Sequence, residues 1–263
     1  MYNTIYNLSI IYFIQTLFIL LIFALMIIDY IHTAKKENKK LLAILLDPDK
    51  LALAEIPNTI SKINKSNANL LFIGGSLLFK NVLDEFVSIV KQNTKLPVLL
   101  FPGSAMQITN NADGILFLQL ISGRNPEYLI SNQVIAAPLL KQTDLEVIST
   151  SYLLIESGRE TTASYISNTK PIPSHKPEIA MATAMAGEFM GHKLIYMDGG
   201  SGALNSVPTE MIKMVSKNVD LPIIIGGGLK TKQAIQAVYK AGATIVVVGT
   251  AFENNEELLK NLT

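Results

Sequence analysis

The sequence predicts a closed (β/α)8 TIM barrel whose third helix is missing or reduced, preceded by an N-terminal hydrophobic helix. Three observations carry that expectation. Eight short apolar runs rich in Ile, Leu and Val recur after the basic residues at 35–40. None alternates strictly with polar residues, which suits strands buried on both faces of a parallel sheet. Helical spacing fills several of the gaps between them, and strand alternating with helix argues for right-handed βα crossovers. The length of 263 residues suits one barrel of this kind, which needs about 250.

The expected strands are Leu41–Leu46, Leu70–Ile73, Pro97–Phe101, Gly114–Leu120, Ile148–Ile155, Lys193–Met197, Pro222–Ile225 and Thr244–Val248. Asp84–Lys95 reads as a helix from the spacing of Phe86, Val87 and Val90. Pro208–Val219 does so from Met211, Ile212 and Val215, after the Asn205–Ser206 turn. Thr231–Ala241 opens on a capping threonine and repeats Ala234, Ile235, Ala237 and Val238. One unit is defective: between the third and fourth strands only Pro102–Asp113 is available, with Gly103, Asn110 and Asn111 in it. That is short for a crossover helix, and a loop or one helical turn is expected. The polar stretch Glu156–Pro177, with Pro171 and Pro173 inside it, is expected to fold over the barrel mouth before a helix Glu178–Met190.

Residues 1–28 are assigned as a hydrophobic segment and 29–263 as the barrel domain. No charged side chain occurs in 1–28, and Leu8–Ile28 is long enough to cross a bilayer as a helix. Lys35, Lys36, Lys39 and Lys40 follow, so a spanning helix would leave the barrel in the cytoplasm. A start at Met26, giving a shorter chain without the segment, and a buried helix are the alternatives. A cleaved signal peptide is disfavoured, because no basic start or small-residue cleavage site is present. The expected location is cytoplasmic, with membrane contact through residues 8–28. Twenty-two basic against 21 acidic residues give a net charge of +1, which gives no reason to expect nucleic acid. The absence of cysteine removes disulfides, zinc–thiolate sites and cysteine nucleophiles.

Active sites of such barrels lie at the C-terminal ends of the strands. Those ends carry Asp47-Pro48-Asp49-Lys50, Gly74-Gly75-Ser76, Pro102-Gly103-Ser104, Gln119 with Ser122-Gly123-Arg124, Tyr152 with Glu156, Asp198-Gly199-Gly200-Ser201-Gly202, Gly226-Gly227-Gly228 and Gly249-Thr250. Glycine lets backbone N–H groups approach an anion closely, and the last two loops are the usual phosphate seat. The bland alternative is a set of flexible turns. Asp47 is a candidate Mg2+ ligand, joined by Ser76 directly or through water. Asp49 reads better as a loop or helix-capping residue. Asp198 is placed to take a proton from a substrate hydroxyl, or else is a turn residue. His32, His175 and His192 do not cluster in sequence.

Several stretches together resemble the geranylgeranylglyceryl phosphate synthase family over about residue 27 to the end. They are Leu45–Lys50, Ile73–Ser76, Tyr196–Ala203, Ile225–Gly228 and Val248–Thr250. Glu156-Ser157-Gly158-Arg159 and Ser167–Pro171 are similar to the family group that includes bacterial members. The resemblance implies a Mg2+-dependent prenyltransferase joining the 3-hydroxyl of sn-glycerol 1-phosphate to geranylgeranyl diphosphate, or a related long-chain prenyl diphosphate, with release of diphosphate. It places the metal on Asp47 and Ser76. The glycerol phosphate falls on Tyr196, Met197, Asp198, Gly199, Gly200, Ser201, Gly202, Gly227, Gly228, Gly249 and Thr250. Catalysis falls on Asp198 and Tyr152. Asp198 departs from the family's usual glutamate, and Leu45 stands where some members carry lysine. The resemblance also implies a homo-oligomer and no third helix. Phe101, Met106 and Ile108, in the short unit, are expected to help open a groove for the prenyl tail. The rival classes are another phosphate-binding barrel enzyme, such as a phosphosugar isomerase, and a non-catalytic membrane-anchored phosphate or lipid binder.

Overall fold

The computed structural model of the protein describes residues 26–249. The expected barrel is there: eight strands form a closed parallel sheet, each bonded to its sequence neighbour and the last to the first. The strands are β1 (Leu41–Leu46), β2 (Leu70–Ile73), β3 (Val98–Leu100), β4 (Gly114–Gln119), β5 (Glu146–Leu154), β6 (Leu194–Asp198), β7 (Ile223–Gly226) and β8 (Ile245–Val248). Seven shift by at most one residue from the expected start or end, and β5 begins two residues earlier, at Glu146. Alternate residues divide the core. Leu70, Phe72, Tyr152, Tyr196 and Ile224 fill the barrel, while Leu71, Ile73, Leu153, Met197 and Ile225 pack under the helices.

The first described helix, α1 (Ile27–Lys36), closes the N-terminal end of the barrel. Ile27, Ile31 and Ala34 pack with Leu41, Leu70 and the other inner residues. Its first amides need acceptors, and the Glu146 carboxylate takes the N–H of Ile27 and, at 2.8 Å, of Ile28. A carboxylate at a helix N-terminus also meets the positive end of the helix dipole. At the other end Lys35 Nζ donates to the Leu221 carbonyl at 2.9 Å. The boundary expected after Ile28 therefore falls inside a helix that belongs to the barrel. Residues 1–25 lie outside the described residues, and with them most of the hydrophobic segment. No helix among the described residues is long and apolar enough to cross a membrane.

The expected helices appear as α3 (Leu83–Asn93), α6 (Pro177–Phe189), α7 (Thr209–Ser216) and α8 (Lys232–Ala241), the last capped by Thr231 as its sequence suggests. Two more pack outside the sheet: α2 (Ile56–Asn64) and α4 (Asn132–Leu140). The α4 sequence NQVIAAPLL is apolar nearly all round, so it shows no helical period to read. No helix lies between β3 and β4. That crossover is stapled instead. Asp113 binds Lys91 at 2.6 Å and accepts from the Val98 amide at 2.7 Å, and Thr109 donates to Asp84. The outer face of β4, with Ile115 and Phe117, thus keeps a gap where a helix would otherwise lie.

Candidate active site

The polar centre of the mouth is set by strand register. Tyr152 on β5 pairs with Tyr196 on β6, and Asp198 lies two residues further along β6. All three side chains point inward, so the Tyr152 ring spans that step and its hydroxyl donates to Asp198 Oδ2 at 2.6 Å. Asp198 Oδ1 accepts the Gly200 amide at 2.8 Å. Each carboxylate oxygen still has acceptor capacity. Burial raises the Asp198 carboxyl above its ordinary range, while the Tyr152 and Gly200 donors pull it part of the way back. Burial first, then the charge of Asp198, raises the Tyr152 and Tyr196 phenols far above theirs, so both are O–H groups at neutral pH. Beneath them, Phe101 stacks on Tyr196 at 4.9 Å between ring centroids. Tyr152 meets Tyr196 edge-on at 5.5 Å, completing an aromatic floor.

The glycine turns after β6 and β7 interlock through backbone alone. Gly227 has φ 81°, and a Cβ there would lie 2.9 Å from the Gly199 Cα and 2.8 Å from the Gly200 nitrogen. Only glycine fits that approach. Gly200, Ser201, Gly202, Gly227, Gly228 and Gly249 all line one cavity with Tyr152, Tyr196 and Asp198. Gly199 lies behind them, against Ala203 and Ser157. Met197 is not part of the lining: its side chain is buried under the helices, because it sits on the outward face of β6. Thr250 lies outside the described residues.

Opposite these turns, Asp47 and Ser76 line the same cavity. Asp47 Oδ1 accepts the Asp49 amide at 3.0 Å, and Oδ2 meets Lys50 Nζ at 3.0 Å. Asp49 is a loop residue, as expected. Its carboxylate clamps the loop after β2 by accepting the Phe79 and Lys80 amides at 2.8 and 3.0 Å. Among the described residues no three His, Asp, Glu or Cys side chains gather into a metal cage. The remaining strand-end candidates serve the loops. Ser122 Oγ accepts the Leu154 amide at 2.9 Å, Arg124 donates to the Gly123 carbonyl at 2.6 Å, and Glu156 accepts from Ser174 at 3.2 Å. None of the three histidines lines the cavity.

The cavity measures about 970 Å³ and continues sideways from the mouth into the gap between β3 and β4. There its walls are Ile108, Ile115, Phe117, Ala136 and Leu140. Phe101 and Ile108 contribute as expected. Met106 does not: it is 85% exposed and points to solvent. Two residues left without a role in the site by the sequence expectations shape it. Gln107, buried, accepts the Gly103 amide at 2.9 Å and donates to the Gly75 carbonyl at 3.2 Å, tying the loops after β3 and β2 together. Arg159, in the stretch between β5 and α6, lines the cavity beside Gly202. A buried glutamine in a short polar loop gives no periodic signal, and an arginine in a long loop usually means solvent. The site as a whole offers an amide-rich anion seat, a buried carboxylate with a phenol partner, a second carboxylate across the mouth and an apolar side groove.

Comparison with known proteins agrees with this geometry. Residues 33–263 match the PcrB family. The chain is 53% identical over 222 residues to the geranylgeranylglyceryl phosphate synthase of Flavobacterium johnsoniae, covering 84% of this chain and 91% of that protein. It is 41% identical over 225 residues to the synthase of the same name from Thermococcus kodakarensis, covering 85% and 88%. The crystal structure of (S)-3-O-geranylgeranylglyceryl phosphate synthase from Thermoplasma acidophilum, in complex with substrate sn-glycerol-1-phosphate, superimposes with a TM-score of 0.85 at 29% identity. That match covers 89% of this chain and 96% of that one.

Proposed function

The chain belongs to the PcrB family, and from that premise and the site we propose that it is a prenyltransferase of ether-lipid synthesis. It joins the 3-hydroxyl of sn-glycerol 1-phosphate to geranylgeranyl diphosphate or a related prenyl diphosphate and releases diphosphate. One observation carries the reading: a single cavity joins a glycine-built anion seat and a buried carboxylate to an apolar groove. A phosphosugar isomerase has no use for such a groove.

In this reading the phosphate of the acceptor sits on Gly200–Gly202, Gly227, Gly228, Gly249 and Thr250, and its 3-hydroxyl faces Asp198. The C1–oxygen bond of the prenyl diphosphate breaks, and its electron pair leaves with diphosphate. The acceptor oxygen bonds to C1, and its proton passes to Asp198. Burial favours that transfer by raising the carboxyl's affinity for a proton. Tyr152 orients the carboxylate through its 2.6 Å bond, and the shorter aspartate works in place of glutamate because two donors fix it. Anchoring the acceptor replaces a bimolecular encounter with a positioned one.

Asp47 and Ser76 fit a Mg2+ site of the kind that is completed by substrate. Mg2+ is commonly held by one or two carboxylates plus phosphate oxygens rather than by a full protein cage. Asp47 is only partly exposed, already accepts one amide and faces the loop carrying Ser76. An ion held there would offset charge on the departing diphosphate. The protein acts in the cytoplasm as a homo-oligomer, and membrane contact falls to the apolar residues 8–25, since Ile27 and Ile28 belong to the helix that closes the barrel. The direct test is incubation with sn-glycerol 1-phosphate, prenyl diphosphates of several lengths and Mg2+, with the prenyl ether detected by mass spectrometry. Product that disappears on chelation is expected. No ether with any chain length would overturn the reading.

A further inference from the structure

We propose that Arg159 is the charged half of the acceptor-phosphate site and sets the enzyme's preference for a phosphorylated acceptor. The inference rests on the reading above, that the glycine turns hold glycerol phosphate. Those turns offer backbone amides, which carry only partial charge. A phosphate monoester dianion in a mouth that already holds the Asp198 carboxylate needs a full positive charge nearby.

Three basic side chains compete for that role, besides Arg159. Lys50 is paired with Asp47 at 3.0 Å, on the opposite side of the mouth. Lys80 Nζ donates to the Asp49 carbonyl at 2.7 Å. Lys230 also lines the cavity, beyond the β7 turn, and like Arg159 is exposed, but it makes no approach to the Gly202 turn, where only Arg159 comes within 4 Å of a built Cβ. The guanidinium of Arg159 differs from the first two, having no hydrogen bond or ion pair among the described residues. It lies directly over the turn: a Cβ built on Gly202 would be 2.4 Å from Nη2. Gly202 therefore leaves room for this side chain as well as for a ligand.

The backbone around Arg159 is fixed. On one side the Ser157 carbonyl accepts the Asn205 amide at 3.1 Å, and Gly158, at φ 88°, sits against the Asn205 side chain. On the other, Thr161 is buried against Gly200 and caps α5 (Thr162–Ser167) in a capping box with Ser164. The segment between β5 and α6 is thus pinned to the β6 turn before and after Arg159. Its guanidinium lies where the anion seat opens, with all five N–H donors available. A planar fork of donors matches two phosphate oxygens at once, which an amine does not.

The test uses the full chain with R159M and R159K. Arg159 is exposed, so both variants are expected to keep the wild-type Tm. Glycerol 1-phosphate and inorganic phosphate are titrated calorimetrically without prenyl substrate, and KM is measured separately for each substrate. R159M should weaken both ligands and raise the acceptor KM by about 10- to 100-fold, with KM for the prenyl diphosphate unchanged. R159K should fall between. Wild-type affinity in R159M, or an effect confined to the prenyl diphosphate KM, would overturn the proposal while leaving the function standing. A wild-type protein that binds no glycerol phosphate would remove the function reading itself, and this inference with it.

Discussion

The two sides of the barrel mouth are built by different means. On the β6–β7 side the wall is backbone: interlocked glycine turns, packed so closely that a Cβ on Gly227 would lie 2.9 Å from Gly199. On the β2–β4 side it is side chains around a gap, with Ile108, Phe117 and Leu140 along a groove and Gln107 stapling the loops. A backbone wall presents fixed donors and tolerates almost no substitution. A side-chain wall can be reshaped one residue at a time. In the proposed reading, anion recognition is therefore rigid and tail recognition adjustable.

The sharpest way to break this contrast is at its buried carboxylate. Asp198→Asn should lower kcat by about 10²- to 10⁴-fold with little change in glycerol phosphate affinity, measured by turnover and titration. The acid limb of kcat should lie above the ordinary carboxylate range, because burial raises this group. Tyr152→Phe removes a donor that favours the charged form, so its limb should move to higher pH. Stability runs with the opposite sense. A carboxyl raised in the folded state contributes stability that is present in full below its unfolded value and lost as pH rises through the folded one. Asp198→Asn should flatten that dependence in thermal melts across the acid range.

On the backbone wall, Gly227→Ala should cost roughly 1–3 kcal/mol of stability through its positive φ and the close contact. It should also raise the acceptor KM on the order of tenfold by tilting the turns. On the side-chain wall, Ile108→Trp should lower kcat/KM for a 20-carbon prenyl diphosphate about tenfold relative to a 10-carbon one, the change one lost subsite would make. Equal effects on both chain lengths would mean the groove does not hold the tail. The smallest effect is expected from Gln107→Ala, about 1 kcal/mol in a denaturant melt, from two lost hydrogen bonds.

Most of the fold was legible from residue order. The apolar runs marked all eight strands, because a strand buried on both faces needs continuous Ile, Leu and Val. The short Pro102–Asp113 stretch announced the missing helix by length alone. The helices α2, α4 and α5 went unread, α4 because its sequence is apolar on nearly every face. Residues lining the cavity were legible where the strand end named them, as at Asp47, Ser76 and Asp198. Parity was not: Met197 belongs to the glycine-turn motif, yet its side chain faces the helices. Met106 likewise follows the third strand but points to solvent.

Sequence by itself determined the barrel, the strand ends at which the cavity opens and the glycine character of its β6–β7 wall, since each depends on local periodicity or on a backbone conformation open mainly to glycine. Tertiary structure alone decided the Tyr152–Asp198 bond, the Asp49 clamp on the next loop and the seat of Arg159 over Gly202. Those contacts join residues 30 to 46 positions apart. They depend on strand register and side-chain reach, which no local pattern encodes.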